Sequence, residues 1–463
     1  MEQKQRTRIL WILFLGVLMG ALDIAIVGPA LPSIRRDFGI DERVASWVFT
    51  TYVLFNLISV PLMAKLADVF GRRTIYIVDV ALFAVGSLIV ALSPIFPMMI
   101  VGRMAQGLGA GGVFPVASAV IGDTFPPEKR GSALGIIGAV FGIAFLVGPI
   151  LAGVILAFTS WHWLFLLNLP IAALVIVFAL RLLPAARPAQ QKQFDWQGML
   201  VLAVALASLV IGINRLDTQN IFASLFALDT LPFFIVTLAL APLFVWLERR
   251  AANPVVHLEL FSRQVIVAGA IAAGAGLSEA TIVFVPTFVV FAFDVKNSVA
   301  SFMLLPAVLA MAVGAPMAGR LLDRYGSRVV VLLGASLATA GLFIVALLGT
   351  HIVFFYVSAL FAGIGLGVLL GAPLRYIMLN EAPASERAAA QGILTLHSSI
   401  GQLVGGALVG AVAASAGGGA TGLTSAFLTV GIIMLFLTTT ALLLKSRQHE
   451  LETARRNQIV AAS

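Results

Sequence analysis

Ile9–Leu31 reads ILWILFLGVLMGALDIAIVGPAL, an apolar run with one charge, Asp23. A bilayer core of about 30 Å needs about 20 apolar residues in helix, so this run predicts a membrane-spanning helix carrying a carboxyl near mid-depth. Lys4, Arg6 and Arg8 ahead of it imitate a signal peptide. The apolar stretch outlasts the ~7–15 residues of such a leader, and no small-residue cleavage pattern follows. A retained first span is expected.

The rest of the chain follows suit. Of 463 residues, 60% are hydrophobic and 11% charged, with a mean hydropathy of +1.05; a soluble domain is about a quarter charged. Lipid is therefore the expected solvent and partner for most of the surface. The net charge of +8 is scattered in twos and threes between apolar runs, unlike the clustered stripe of a nucleic-acid reader. The absence of cysteine excludes disulfides, thiolate metal sites and a catalytic thiol.

Applied along the chain, the length rule places fourteen spans, near 9–31, 44–66, 74–93, 97–121, 132–157, 163–183, 198–213, 231–247, 265–293, 299–321, 329–349, 352–374, 391–414 and 421–444. The positive-inside rule tests the count. With the N-terminus cytoplasmic, only Arg35, Arg36, Arg43, Arg215 and Lys296 fall outside, and Arg103 falls within a span. Removing one helix would invert every later loop. Both termini are expected in the cytoplasm.

The two ends of the chain echo each other at a displacement of 255–257 residues. Asp68, Gly71 and Arg73 recur as Asp323, Gly326 and Arg328; Gly107, Gly109 and Gly111 recur as Gly363, Gly365 and Gly367; Asp23 recurs as Glu279. Spans one to six thus pair with nine to fourteen, leaving seven and eight as an insert. Eight helices precede the second copy, so both copies run the same way, the parallel arrangement that relates two transporter halves. The expected fold is all-α integral membrane, with two parallel six-helix repeats around a two-helix insert. Its divisions are an N-terminal half at 1–190, the insert and linkers at 191–262, a C-terminal half at 263–445 and a tail at 446–463.

These residues resemble the major facilitator superfamily, and within it the fourteen-span drug:proton antiporters. Ala64-Lys-Leu-Ala-Asp68-Val-Phe-Gly71-Arg72-Arg73 resembles the loop motif G-x-L-a-D-r-x-G-r-r, with Ala64 and Val69 departing from it. Gly319-Arg-Leu-Leu-Asp323-Arg324-Tyr-Gly326-Ser-Arg328 is a second copy. Leu22-Asp23-Ile-Ala-Ile-Val-Gly-Pro29-Ala-Leu-Pro32 is similar to the first-span signature L-D-x-T-I-V-N-V-A-L-P, and Arg103-Met-Ala-Gln106-Gly107 to the fourth-span motif. Gly148-Pro149-Ile-Leu-Ala152-Gly153 resembles the antiporter motif G-P-x-x-G-G, and Trp161-His162-Trp163-Leu-Phe165-Leu-Leu-Asn168-Leu-Pro170 resembles W-R-W-x-F-x-x-N-x-P.

Ionisable groups at membrane depth are expensive, about 2.5–3.5 kcal/mol at a helix centre, so Asp23, Asp79, Arg103 and Glu279 are the candidate coupling residues. Asp23 and Glu279 are expected to face one central cavity. Desolvation favours the protonated form of a carboxyl, so such a group can carry a proton while a cationic substrate competes for it. The alternative is an acid held neutral in a packing hydrogen bond. Arg103 is expected to face the same cavity or a carboxylate, whereas Asp79, about one turn inside the edge of its span, either joins the site or stays solvated. His397 either titrates or bonds between helices.

Asp68, Gly71, Arg72 and Arg73, with Arg130 and the second-copy Asp323, Gly326 and Arg328, are expected to form a conformational latch, the bland alternative being ordinary loop charge. Gly148, Pro149 and Gly153 predict close helix packing; a role in antiport is what the resemblance implies for them. Gly107-Leu-Gly109-Ala-Gly111-Gly112 contains G-x-G-x-x-G but lies inside a span with no strand before it, so it is no dinucleotide loop. G-x-x-x-x-G-K-[ST] and H-E-x-x-H are both missing, which argues against an ATP-driven pump or a zinc protease.

The expectation is a non-enzymatic transporter without cofactor or metal, active as a monomer. It would export amphipathic or cationic small molecules against protons. A carrier of one metabolite or lipid on the same scaffold is the alternative. The resemblance implies a bacterial inner membrane.

Overall fold

In lipid, a backbone must satisfy its own N–H and C=O groups, and the long apolar runs here do so as helices. The computed structural model describes residues 3–125, 127–184, 195–217, 219–251, 254, 260–382, 387–450 and 452–453. Thirteen helices among the described residues have the length and apolarity to cross a membrane. The remaining predicted span, 132–157, falls within a helix at Pro127–Phe158, whose described apolar part is Ile143–Phe158.

The chain divides into two units. The first comprises residues 1–40, 47–194 and 296–302. It contains α1 (Gln3–Phe38), most of α2 (Glu42–Phe70), α3 (Arg72–Ala91), α4 (Phe96–Thr124), α5 (Pro127–Phe158), α6 (His162–Leu166) and α7 (Asn168–Leu182). The first helix is longer than its apolar run because the polar residues on both sides continue it. Gly71 separates α2 from α3 with φ 92°, a conformation that L side chains avoid.

The second unit comprises residues 41–46, 195–295 and 303–463. It holds α8 (Trp196–Arg215), α9 (Ile221–Leu225), α10 (Leu231–Glu248), α11 (Arg263–Phe293), α13 (Leu305–Tyr325), α14 (Ser327–Leu348), α15 (Ile352–Leu370), α16 (Ala372–Glu381), α17 (Arg387–Ser415) and α18 (Gly419–Thr440), while α12 (Asn297–Met303) belongs, but for its last residue, to the first unit. Asp195 caps α8 by accepting from the Gly198 N–H at 2.8 Å, and the Ser262 hydroxyl caps α11 at the Val265 N–H. Two predicted spans are each broken in two. Leu304 interrupts 299–321 just before Pro306, and Gly371 interrupts 352–374 just before Pro373; proline supplies no N–H to continue the ladder. Gly326, with φ 80°, makes the turn between α13 and α14.

The glycine triplets explain the packing of each unit. In the first, a Cβ on Gly107 or Gly111 would stand 2.5 Å from the carbonyl oxygens of Tyr52 and Asn56 on α2, and one on Gly109 would meet Asp79 O and Phe83 N on α3. In the second, Gly363 and Gly367 meet the carbonyls of Ala307 and Met311 on α13, and Gly365 meets Ala338 N and Gly334 O on α14. Bare Cα atoms let the helix backbones touch. Gly148 in α5 likewise lies against Ala25 of α1, and Gly153 against the Phe302 ring.

One end of the second unit is strapped by the chain after α18. Arg447 Nη1 donates to the Arg324 carbonyl at 2.9 Å, Glu450 Oε2 accepts from the Ser327 N–H at 3.3 Å, and Lys445 pairs with Glu381. Glu450 is buried. Burial pushes its carboxyl above the usual glutamate range, against the opposing effect of the Ser327 hydrogen bonds.

Candidate functional site

Asp23 stands near the middle of α1 and is fully buried, as is Arg103 on α4. Arg103 Nη1 donates to Asp23 Oδ2 at 2.5 Å and to Gln106 Oε1 at 2.8 Å, while its Nε donates to the Val48 carbonyl of α2 at 2.8 Å. The Gln106 amide donates to Asp23 Oδ1 at 2.9 Å and to Ser87 Oγ of α3 at 2.8 Å. Asn168, the first residue of α7, donates to the same two oxygens at 3.2 Å each. The guanidinium lies 4.3 Å from the centre of the Tyr52 ring. Five helices thus converge on one ion pair.

This geometry changes the expected setting of Asp23. Instead of lining a cavity, it is enclosed by its own unit, because Arg103, Gln106 and Asn168 replace water as its donors. Of the two settings expected for Arg103, the cavity or a carboxylate, the structure shows the carboxylate. Ser87 and Tyr52 carried no signal, since a serine or tyrosine in an apolar helix is ordinary. Asn168 was visible only as part of a motif.

Glu279 on α11 is partly exposed and accepts from the Gln402 amide of α17 at 2.6 Å. Among the described residues, the second unit has no ion pair at the matching depth. Ala359 and Ala362, 256 positions beyond Arg103 and Gln106, instead border an apolar cavity of about 50 Å³ that Ser278, Thr281 and Leu342 also line. His397 is an interhelical packer: its ring fills the space over Gly269 and its Nδ1 lies 2.8 Å from the Ile393 carbonyl.

Asp79 is not solvated. It is fully buried, because the position falls where α3 packs on the glycines of α4. Of the loop residues, Arg72 Nη1 donates to the Ala119 carbonyl, while Arg73 and Arg328 are half-buried. The side chains of Asp68, Arg130 and Asp323 lie outside the described residues.

The chain's sequence matches the model of the Major Facilitator Superfamily over residues 13–306 and 265–460. The protein belongs to the major facilitator superfamily. It is 35% identical over 410 residues to the uncharacterized MFS-type transporter YfiU of Bacillus subtilis, covering 86% of this chain and 78% of that one. It is 33% identical to the multidrug resistance protein Stp of Mycobacterium tuberculosis, covering 87% and 74%. In structure it resembles the inward-facing, unoccupied bacterial homolog of the human lysosomal transporter Spinster. The TM-score is 0.68 at 15% identity, with 99% of each chain covered, a likeness of fold alone. This superfamily member is thus a multi-pass membrane protein of the lipid bilayer, a secondary transporter and not an enzyme.

Proposed function

We propose that this transporter exports amphipathic or cationic small molecules from a bacterial cell in exchange for protons. The observation that carries the reading is the fully buried Asp23–Arg103 pair. A proton arriving at Asp23 removes the charge that holds Arg103, and the freed guanidinium must find another partner, so protonation and rearrangement of the helices are linked. Glu279 is the more accessible of the two acids, partly exposed where Asp23 is fully buried. The multidrug resistance proteins among its relatives favour amphipathic cargo.

The architecture we infer is fourteen spans with both termini in the cytoplasm of an inner-membrane protein active as a monomer. Supporting the parallel repeat, the glycine triplets of α4 and α15 meet partners displaced by the same 255 positions, Tyr52 and Ala307, Asn56 and Met311, Phe83 and Ala338. The Gly71 and Gly326 turns, with the acids and arginines around them, are assigned the latch, and the motif of Gly148, Pro149 and Gly153 close helix packing, Gly148 against Ala25 of α1 and Gly153 against the Phe302 ring.

The driving force is sufficient. One charge crossing 100 mV is worth about 2.3 kcal/mol and a tenfold gradient about 1.4 kcal/mol, so one proton per cycle sustains roughly 40-fold accumulation. The test is uptake of a fluorescent lipophilic cation by everted vesicles under an imposed proton gradient. Gradient-driven uptake by wild type, lost in Asp23→Asn, is expected. No uptake by folded wild type would redirect the search to a specific metabolite or lipid.

A further inference from the structure

Asp79 stands apart from the Asp23 cluster. It lies seven residues into α3 and is fully buried where α3 packs on α4. Its carboxyl rests over Gly112: a Cβ there would stand 2.2 Å from Oδ2 and 2.4 Å from Oδ1. The facing helix therefore offers a bare Cα and no donor. Neither carboxyl oxygen has a hydrogen-bond partner among the described residues.

Among the described residues, the charged and titratable side chains nearest α3 on the helices packed around it are engaged elsewhere or remote. Tyr76, one turn earlier, directs its hydroxyl to the Ile12 and Leu13 carbonyls of α1. Arg72 reaches the Ala119 carbonyl of α4, Arg6 of α1 the Thr124 carbonyl, and Arg103 pairs with Asp23. His162 of α6 meets Ser160 and stacks on Trp161, and Arg181 in the last turn of α7 is exposed.

A carboxylate withdrawn from water needs donors or a counter-charge. A carboxyl with neither is stable there only as the neutral acid. We propose that Asp79 is a second proton-binding site of the first unit, loaded while the α3–α4 seam is closed on Gly112 and emptied when that seam admits water. In the release step the carboxylic O–H bond breaks, the proton passes to an incoming water, and the carboxylate left behind is held by further water. Closing the seam again requires a proton to return.

The chemistry differs from that at Asp23, where the proton competes with Arg103; here it competes with water. The participation of Asp79 in transport rests on the proton-coupled reading. Its protonation does not.

Infrared difference spectroscopy of the full chain in liposomes, with and without isotope-labelled aspartate, tests the site. At neutral pH we expect a protonated-carboxyl C=O band at the high-frequency edge, as befits an oxygen accepting no hydrogen bond. It should vanish in Asp79→Asn and persist in Asp23→Asn; Asp79→Leu, isosteric and apolar, serves if the amide does not fold. Absence of the band in folded wild type, or its survival in the Asp79 variants, overturns the site. The proton:substrate ratio should fall by one in the variant, and an unchanged ratio overturns its part in the cycle. Loss of all gradient-driven transport in wild type would count against the proposed function and leave the band to be judged alone.

Discussion

Arg103 Nη1 lies 2.5 Å from Asp23 Oδ2, although the two residues are 80 positions apart in the chain and both side chains are fully buried. Removing one member of such a pair leaves an uncompensated buried charge, at a cost of about 3–5 kcal/mol. Asp23→Asn and Arg103→Gln should each lower the thermal unfolding midpoint of the purified protein substantially. The double variant should recover part of the loss. Independent, additive effects would argue that the pair is not a unit.

Glu279 contacts Gln402 at 2.6 Å and remains partly exposed, so its neutralisation should be cheap for the fold. Glu279→Gln is expected to shift the unfolding midpoint little while reducing gradient-driven uptake of a lipophilic cation. A vesicle assay with matched protein amounts separates the two effects. Wild-type uptake by the variant would remove Glu279 from the coupling path.

The carboxyl of Asp79 occupies the space that a side chain at position 112 would need. Gly112→Ala should therefore destabilise the wild-type background by about 1–3 kcal/mol, as overpacking does. In an Asp79→Ala background the same substitution should be nearly neutral. Equal penalties in both backgrounds, read from melting curves, would place the Asp79 carboxyl elsewhere.

Gly71 (φ 92°) and Gly326 (φ 80°) hold backbone conformations that side-chain-bearing residues rarely adopt. Alanine at either site should cost about 1–3 kcal/mol. At Gly326 the new Cβ would also stand 2.8 Å from the Arg447 Cβ, so the bonds of the terminal strap should loosen with it. Protease sensitivity of the segment after Leu444 measures that loosening.

Glu450 carries a carboxyl raised by burial above the usual glutamate range. The docked strap binds that proton more tightly than the released one, so docking is favoured at low pH and weakens as pH rises through the docked value. The chain has no native cysteine. Probes on Tyr325→Cys and Gln448→Cys, both at exposed positions, should therefore separate as pH rises from the ordinary glutamate range. Glu450→Gln should flatten that response, and an unaltered profile would remove Glu450 as its source.

Much of this architecture is written locally. A run such as Ile9–Leu31 is apolar enough to span a bilayer, and an acid within it is costly wherever the chain folds, so thirteen membrane-length helices among the described residues and the presence of Asp23, Arg103 and Glu279 within such helices were legible from residue type and spacing. The glycine triplets of α4 and α15 were legible as close helix contacts because only Gly leaves a helix face bare. Hydropathy and charge are properties of each residue in its own segment, and they survive without knowledge of neighbours.

What touches what was decided only by the tertiary structure. The sequence alone left Asp79 open between a solvated edge and a buried site; the packing of α3 on Gly109 and Gly112 decided it. Asp23 was expected on a cavity but is enclosed, because Arg103 and Gln106 of α4 and Asn168 of α7 all donate to it, and the two amides are held by the Ser87 oxygen of α3, a residue type that announces nothing. Burial and hydrogen bonding depend on atoms brought together from distant segments, and no local pattern of apolar and charged residues specifies which of several buried polar groups will meet.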